Sequence, residues 1–175
     1  MDEGLRLAAE MHENIWKGLK NDLADLSADE IGWRPLPQAN NIDRIIRHLR
    51  IEAEWHANSL EHGAAMPHEN TPELQRSIDA VPFDFARNLA ELEELFARFT
   101  ALLREITLGD LERQTGRAYA YVAAAGRPLP THFLGYHQVM HLAMHWGQIR
   151  TIRNLYKKTR GEPARFHPEN PTYPA

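Results

Sequence analysis

Apolar residues recur along this chain at intervals of three and four, the period of a helix with one buried face, and not in the alternation of a strand. From Asp2 to about Leu26 the positions Leu5, Ala8, Met11, Ile15, Leu19 and Leu23 keep that spacing and predict a first amphipathic helix. Ser27-Ala-Asp-Glu30 has the form of a capping box, so a short helical turn should start there. Trp33-Arg34-Pro35-Leu36-Pro37 then breaks the helix, because each proline disfavours the α conformation at the residue before it. Asn40 or Asn41 can cap a second helix over residues 42–62, whose inward face is Ile42, Ile45, Ile46, Leu49 and Ala53. Gly63 marks its end.

Residues 63–82 contain Pro67, Pro72 and Pro82, with a helical turn expected near 73–78. A connection of this length can cross a bundle from end to end, which lets the second and third helices run parallel. The third helix, over residues 83–106, carries a broad apolar stripe from Phe85 and Leu89 through Phe96 and Phe99 to Leu103 and Ile106. Residues 107–130, with Gly109, Gly116, Gly126, Pro128 and Pro130, read as a second long connection with a short extended piece around Ala118–Ala123. The fourth helix runs from about His132 to Lys158, capped by Thr131 and stopped before Gly161. Arg153, Lys157 and Lys158 in its last turns oppose the negative helix end and predict a solvated basic face. Four prolines after residue 161 suggest an extended tail that adds little core. The pattern therefore predicts an all-α four-helix bundle over residues 1–160 and a tail over 161–175.

The 175 residues suffice for one domain with a single sizeable core. The absence of cysteine excludes disulfides, thiolate metal sites and a cysteine nucleophile, and fits a cytoplasmic protein. The first residues lack the basic-then-apolar pattern of a signal peptide. No apolar run approaches the roughly 18–20 residues that span a bilayer, so no membrane partner is expected. A net charge of −4 gives no electrostatic reason for a nucleic-acid partner. What stands out is ten histidines, three of which fall at intervals of four on the last helix.

Residues four apart share one face of a helix, so His137, His141 and His145 form a strip. With a rise of about 1.5 Å per residue, neighbours in the strip are about 6 Å apart along the axis and the outer two about 12 Å. One ion with bonds of about 2.0–2.1 Å can take two adjacent members but not all three. The pair is either 137/141 or 141/145. Gln138 and Leu142 stand where a zinc protease's HExxH would need glutamate, which excludes that reading. A third ligand should come from another helix. His48, in the middle of helix 2, is the first candidate, and His56, two turns later, its rival. His12 reads as a packing or surface residue, and His62, His68, His132 and His167 sit at helix ends or in loops.

Two groups of residues resemble the DinB/YfiT-like family of four-helix-bundle metalloproteins. His141-xxx-His145-Trp146-Gly147-Gln148 is similar to the family's HxxxHxGQ on its last helix. Trp33-Arg34-Pro35, followed by Asn40-Asn41-Ile42 and His48-Leu49, is similar to its WRP loop, helix cap and helix 2 histidine. The resemblance spans about residues 2–160. It implies the ligand set His48, His141 and His145, an up-down-down-up bundle and a homodimer. His56 and His137 fall outside the motif positions, displaced toward one end of the bundle.

Three neutral imidazoles leave at least one coordination position open, as in catalytic zinc sites. Such an ion can lower the pKa of bound water to about 7 or polarise a carbonyl, and it can also bind a thiolate. The resemblance thus implies a metal-dependent enzyme of hydrolase or thiol S-transferase type, acting on a small molecule, with a low-molecular-weight thiol as one candidate partner. The alternative is a non-catalytic metal-binding or stress-associated helical protein. Nitrogen donors suit zinc, nickel, copper and iron, so ligand type does not name the metal; zinc or nickel is the first expectation, with iron or manganese as alternatives. Glu52, one turn after His48, and His137 and Tyr136 on the last helix are the candidates for a catalytic group. Trp146 and Gln148 read as packing or hydrogen-bonding neighbours of the ligand pair.

Overall fold

A computed structural model describes residues 2–62, 76, 80–107, 109–110 and 133–166. The described elements are helices α1 (Glu3–Leu23), α2 (Ala28–Gly32), α3 (Ile42–His62), α4 (Phe85–Glu105) and α5 (Phe133–Thr159), with no strand among the described residues. The extended piece expected around Ala118–Ala123 and the boundary residues Gly63 and Thr131 lie outside them, as does all but Arg76 of the turn expected near 73–78. No helix among the described residues is long and apolar enough to cross a membrane.

Side-chain oxygens set the helix starts by accepting from backbone N–H groups that have no partner inside the helix. Asp2 accepts from Gly4 at 3.0 Å and Leu5 at 3.3 Å, and Ser27 from Glu30 at 3.2 Å. Asn41, not Asn40, caps α3: its Oδ1 accepts from Arg44 at 2.9 Å, while its amide donates to the Gly32 carbonyl at 3.3 Å. Asp84 accepts from Arg87, which starts α4 at Phe85. At the far end of α5, Gly161 adopts φ 72° and the Glu162 N–H turns back to the Lys157 carbonyl at 3.0 Å. Glycine makes this left-handed stop without steric cost.

The four long helices bury two apolar clusters. One gathers Trp16, Leu19 and Leu23 of α1, Ile42 to Ala53 of α3, Leu92 and Phe96 of α4, and Leu142 to Ile152 of α5. The other gathers Leu5, Ala8 and Ala9 with Ala57, Leu60, Phe99, Leu103 and Val139. On every helix the break between the clusters falls at the same stretch, and His12, His56 and His141 stand in it. Helix seams are set by specific residues. Gly4 and Gly18 of α1 face Tyr136 and Trp146 of α5, and a Cβ on Gly18 would lie 2.4 Å from the indole. Trp16 of α1 donates to Glu93 of α4 at 2.7 Å. Arg50 of α3 meets Glu91 of α4 at 3.6 Å, and Glu61 pairs with Arg98.

Three readings of the pattern need correction. Met11 is exposed, because the inward face of α1 is Leu5, Ala8, Ala9, His12, Trp16 and Leu19, one position away. Arg153 is no part of a solvated basic face: it is 1% exposed and donates from Nε to Glu30 at 2.7 Å, and it also bonds the Asp22 carbonyl and Asp25. Glu30 is thereby drawn away from the capping-box role and ties α2 to α5. Residues 162–166 do not extend away from the bundle either. Asn154 accepts from the Arg165 and Phe166 N–H groups at 3.0 and 2.9 Å, and the Phe166 ring lies under the guanidiniums of Arg150 and Arg153.

Candidate metal centre

α3 and α5 meet along facing strips of polar side chains at four-residue spacing: His48, Glu52 and His56 on one, His137, His141 and His145 on the other. At one end Nε2 of His48 lies 3.0 Å from Nε2 of His141, which lies 3.0 Å from Nε2 of His145. One nitrogen from each of the three falls within 4.8 Å of the others. His145 is 6% exposed and the other two are half-buried.

His145 donates from Nδ1 to Oε1 of Gln148 at 2.8 Å. A neutral imidazole carries one N–H, so its Nε2 presents a lone pair. His141 can then donate from Nε2 to only one of its two neighbours, and its Nδ1 is buried without a hydrogen-bond partner. Hydrogen bonding therefore cannot satisfy both contacts, whereas a cation accepts all three lone pairs at once. Bonds of about 2.0–2.1 Å set tetrahedral donors about 3.3 Å apart, close to the 3.0 Å from His141 to each of the other two, and the third pair lies within 4.8 Å. The donor set fits a divalent ion.

The electrostatics point the same way. Burial, with His145 and His48 beside it, pushes the His141 imidazole down to about 2. Burial lowers His145 too, opposed by its bond to Gln148. Both rings stay neutral and keep their lone pairs at neutral pH.

The sequence matches the DinB superfamily over residues 11–149, a span that holds His48, His141 and His145. The chain belongs to the DinB superfamily. Comparison with curated proteins and with solved structures gave no match.

Around the histidine cluster of this DinB protein, the remaining candidates divide. Glu52 is nearly buried, with Oε1 4.0 Å from Nδ1 of His48, the ring nitrogen away from the cluster. His56 and His137 pair with each other: His56 donates from Nδ1 to the Glu52 carbonyl at 2.7 Å, which leaves its Nε2 to accept from Nδ1 of His137 at 2.9 Å. The His137 ring is stacked 5.6 Å from that of His141. Tyr136 packs on the second apolar cluster with its hydroxyl at Gly4. Trp146 also turns away, over Gly18, and donates to Asp22. His132, His68 and His167, and the side chain of His62, lie outside the described residues.

Pattern reading takes His12 as a packing or surface residue and gives no sign that it and Gln138, both fully buried, have no hydrogen-bond partner among the described residues on any side-chain nitrogen or oxygen. A helical period marks which face is inward but not that a polar residue on it stays unsatisfied.

Proposed function

We propose that this protein binds one divalent metal ion through His48, His141 and His145 and uses it as a metal-dependent enzyme of hydrolase or thiol S-transferase type. The observation that carries the reading is the convergence of three Nε2 atoms whose contacts hydrogen bonds cannot all satisfy. The reading takes zinc or nickel as the ion, with iron or manganese as alternatives; an all-nitrogen set does not choose among zinc, nickel, copper and iron. A bound ion supplies Lewis acidity and an open position for water or a thiol sulfur. The chain's own residues do the rest: Gln148 fixes the tautomer of His145, Glu52 adds negative charge beside His48, and the stack with His137 braces the His141 ring.

The reading extends to an up-down-down-up bundle. Support comes from contacts that rise together on α1 and α5 (Gly4 with Tyr136, Gly18 with Trp146) and on α3 and α4 (Arg50 with Glu91, Glu61 with Arg98). It also extends to a homodimer, for which the exposed Leu7, Met11 and Met140 offer apolar surface. Sedimentation at several protein concentrations tests the dimer.

The test of the site is metal content after purification without a metal column. The parent should hold about one ion per chain, and His48→Ala, His141→Ala and His145→Ala each far less. Equal content in all four proteins would refute the site. Turnover of ester or amide substrates without added thiol selects the hydrolase type, and dependence on a thiol the transferase type.

A further inference from the structure

A groove of about 550 Å³ runs along the seam of α3 and α5, from beside the histidine cluster toward the loop between α2 and α3. Pro35 and Ala39 of the loop, Ile45 of α3, and Met144, Gly147 and Gln148 of α5 form its walls. No charged side chain lines it among the described residues, and its volume is in the range of small-molecule sites. No histidine among the described residues lines it, but it borders the cluster through residues next to His48 and His145 along the chain. Ile45 is one turn before His48, Met144 adjoins His145, and Gln148 both lines the groove and holds Nδ1 of His145. Met144 and Leu155, 52% and 39% exposed, edge it with apolar surface.

We propose that the groove seats the apolar body of an amphiphilic small molecule, a medium-length alkyl or aryl group, whose anionic head reaches the ion at the three histidines. This rests on the metal-binding reading above. The head is anionic because the three neutral imidazoles bring no charge to the ion, and Glu52 lies at the far ring nitrogen of His48 rather than at the cluster. The body is mainly apolar because Pro35, Ala39, Ile45, Met144, Ile152 and Leu155 supply most of the wall, with Asn40, Gln148 and Thr151 adding polar atoms. Gly147 keeps the groove open: a Cβ there meets nothing within 4 Å, so the missing side chain is space left for the ligand and not for packing. A larger residue can therefore be added at this helical position without a clash, and helix propensity favours it over glycine.

The experiment measures binding of a homologous series of n-alkyl hydroxamates to the zinc-loaded full chain by calorimetry, alongside zinc content and sedimentation. In the parent and in Gly147→Ala, affinity should rise about two- to fourfold for each added methylene. In Gly147→Phe, with zinc content and melting temperature unchanged, the rise should flatten while the shortest hydroxamate binds as before. A parent that holds zinc but shows no dependence on chain length, or a Gly147→Phe protein that keeps the full dependence, overturns the proposal. So does a parent dimer that Gly147→Phe converts to monomer, which would make the groove the seat of a second copy. Absence of zinc from the parent instead removes the metal-binding reading, and the metal analysis reports that outcome separately.

Discussion

His12 lies fully buried against Phe96 and Phe99, with ring centroids 4.6 and 5.0 Å away and neither nitrogen hydrogen-bonded. Burial pushes its pKa from 6.5 down to about 3, because a charged imidazole there has lost water and gained nothing. The unfolded chain takes up this proton near pH 6.5 and the native protein only near pH 3. Stability is thus fully present above about pH 7 and is lost as pH falls between those values. At pH 5 the unfolded state gains a proton with a factor of about 30, which corresponds to a loss of about 2 kcal/mol relative to pH 8. Replacing His12 by Leu, of similar volume, removes the effect. It also removes two unsatisfied buried polar atoms, each worth about 1–3 kcal/mol when unpaired. His12→Leu should therefore be at least as stable as the parent at pH 8 and lose about 2 kcal/mol less by pH 5. Urea unfolding of both proteins with chelator present, followed by far-ultraviolet circular dichroism at pH 8, 6 and 5, measures the difference. The other histidines contribute equally to both and cancel. Parallel losses in the two proteins would refute the assignment of this acid sensitivity to His12.

Three further outcomes follow from named contacts. Gln148→Leu should weaken zinc affinity about 10- to 100-fold, read by competition with a chromophoric chelator, because His145 loses the acceptor that fixes its tautomer. Arg153→Met should cost about 3–5 kcal/mol in urea unfolding, since it leaves Glu30, 3% exposed, as a buried charge without its partner. The double variant Arg153→Met with Glu30→Leu should recover most of that loss, which a purely steric role for Arg153 does not predict. Zinc at 100 times its dissociation constant should stabilise the parent by about 2.7 kcal/mol, seen as a higher melting temperature that chelator reverses, with no shift in His141→Ala.

Much of the architecture was legible because its signals are local. The spacing of Ile42, Ile45, Ile46, Leu49 and Ala53 predicted the inward face of α3, and all five are buried. Caps were legible for the same reason, although Asn40 and Asn41 were separated only by which side chain reaches the Arg44 N–H. Arg153 was misread because a cation near a helix C-terminus looks alike whether it faces water or Glu30, and Glu30 lies 123 residues away. The candidate site was legible in part. Helix rise limited His137, His141 and His145 to one adjacent pair per ion, but periodicity left two pairs and two partners open.

By itself, the sequence determined the four long helices, the absence of cysteine ligands and a strip of three histidines on one helical face, since each of these depends only on neighbours along the chain. The tertiary structure alone decided that His48 meets His141 and His145 while His56 meets His137. It also decided that Gln148 supplies the acceptor for His145 and that His12 is sealed in the core. Those outcomes depend on how far α3 is rotated and shifted against α5 when both bury their apolar faces. That docking is a property of side chains some ninety positions apart, and no local period encodes it.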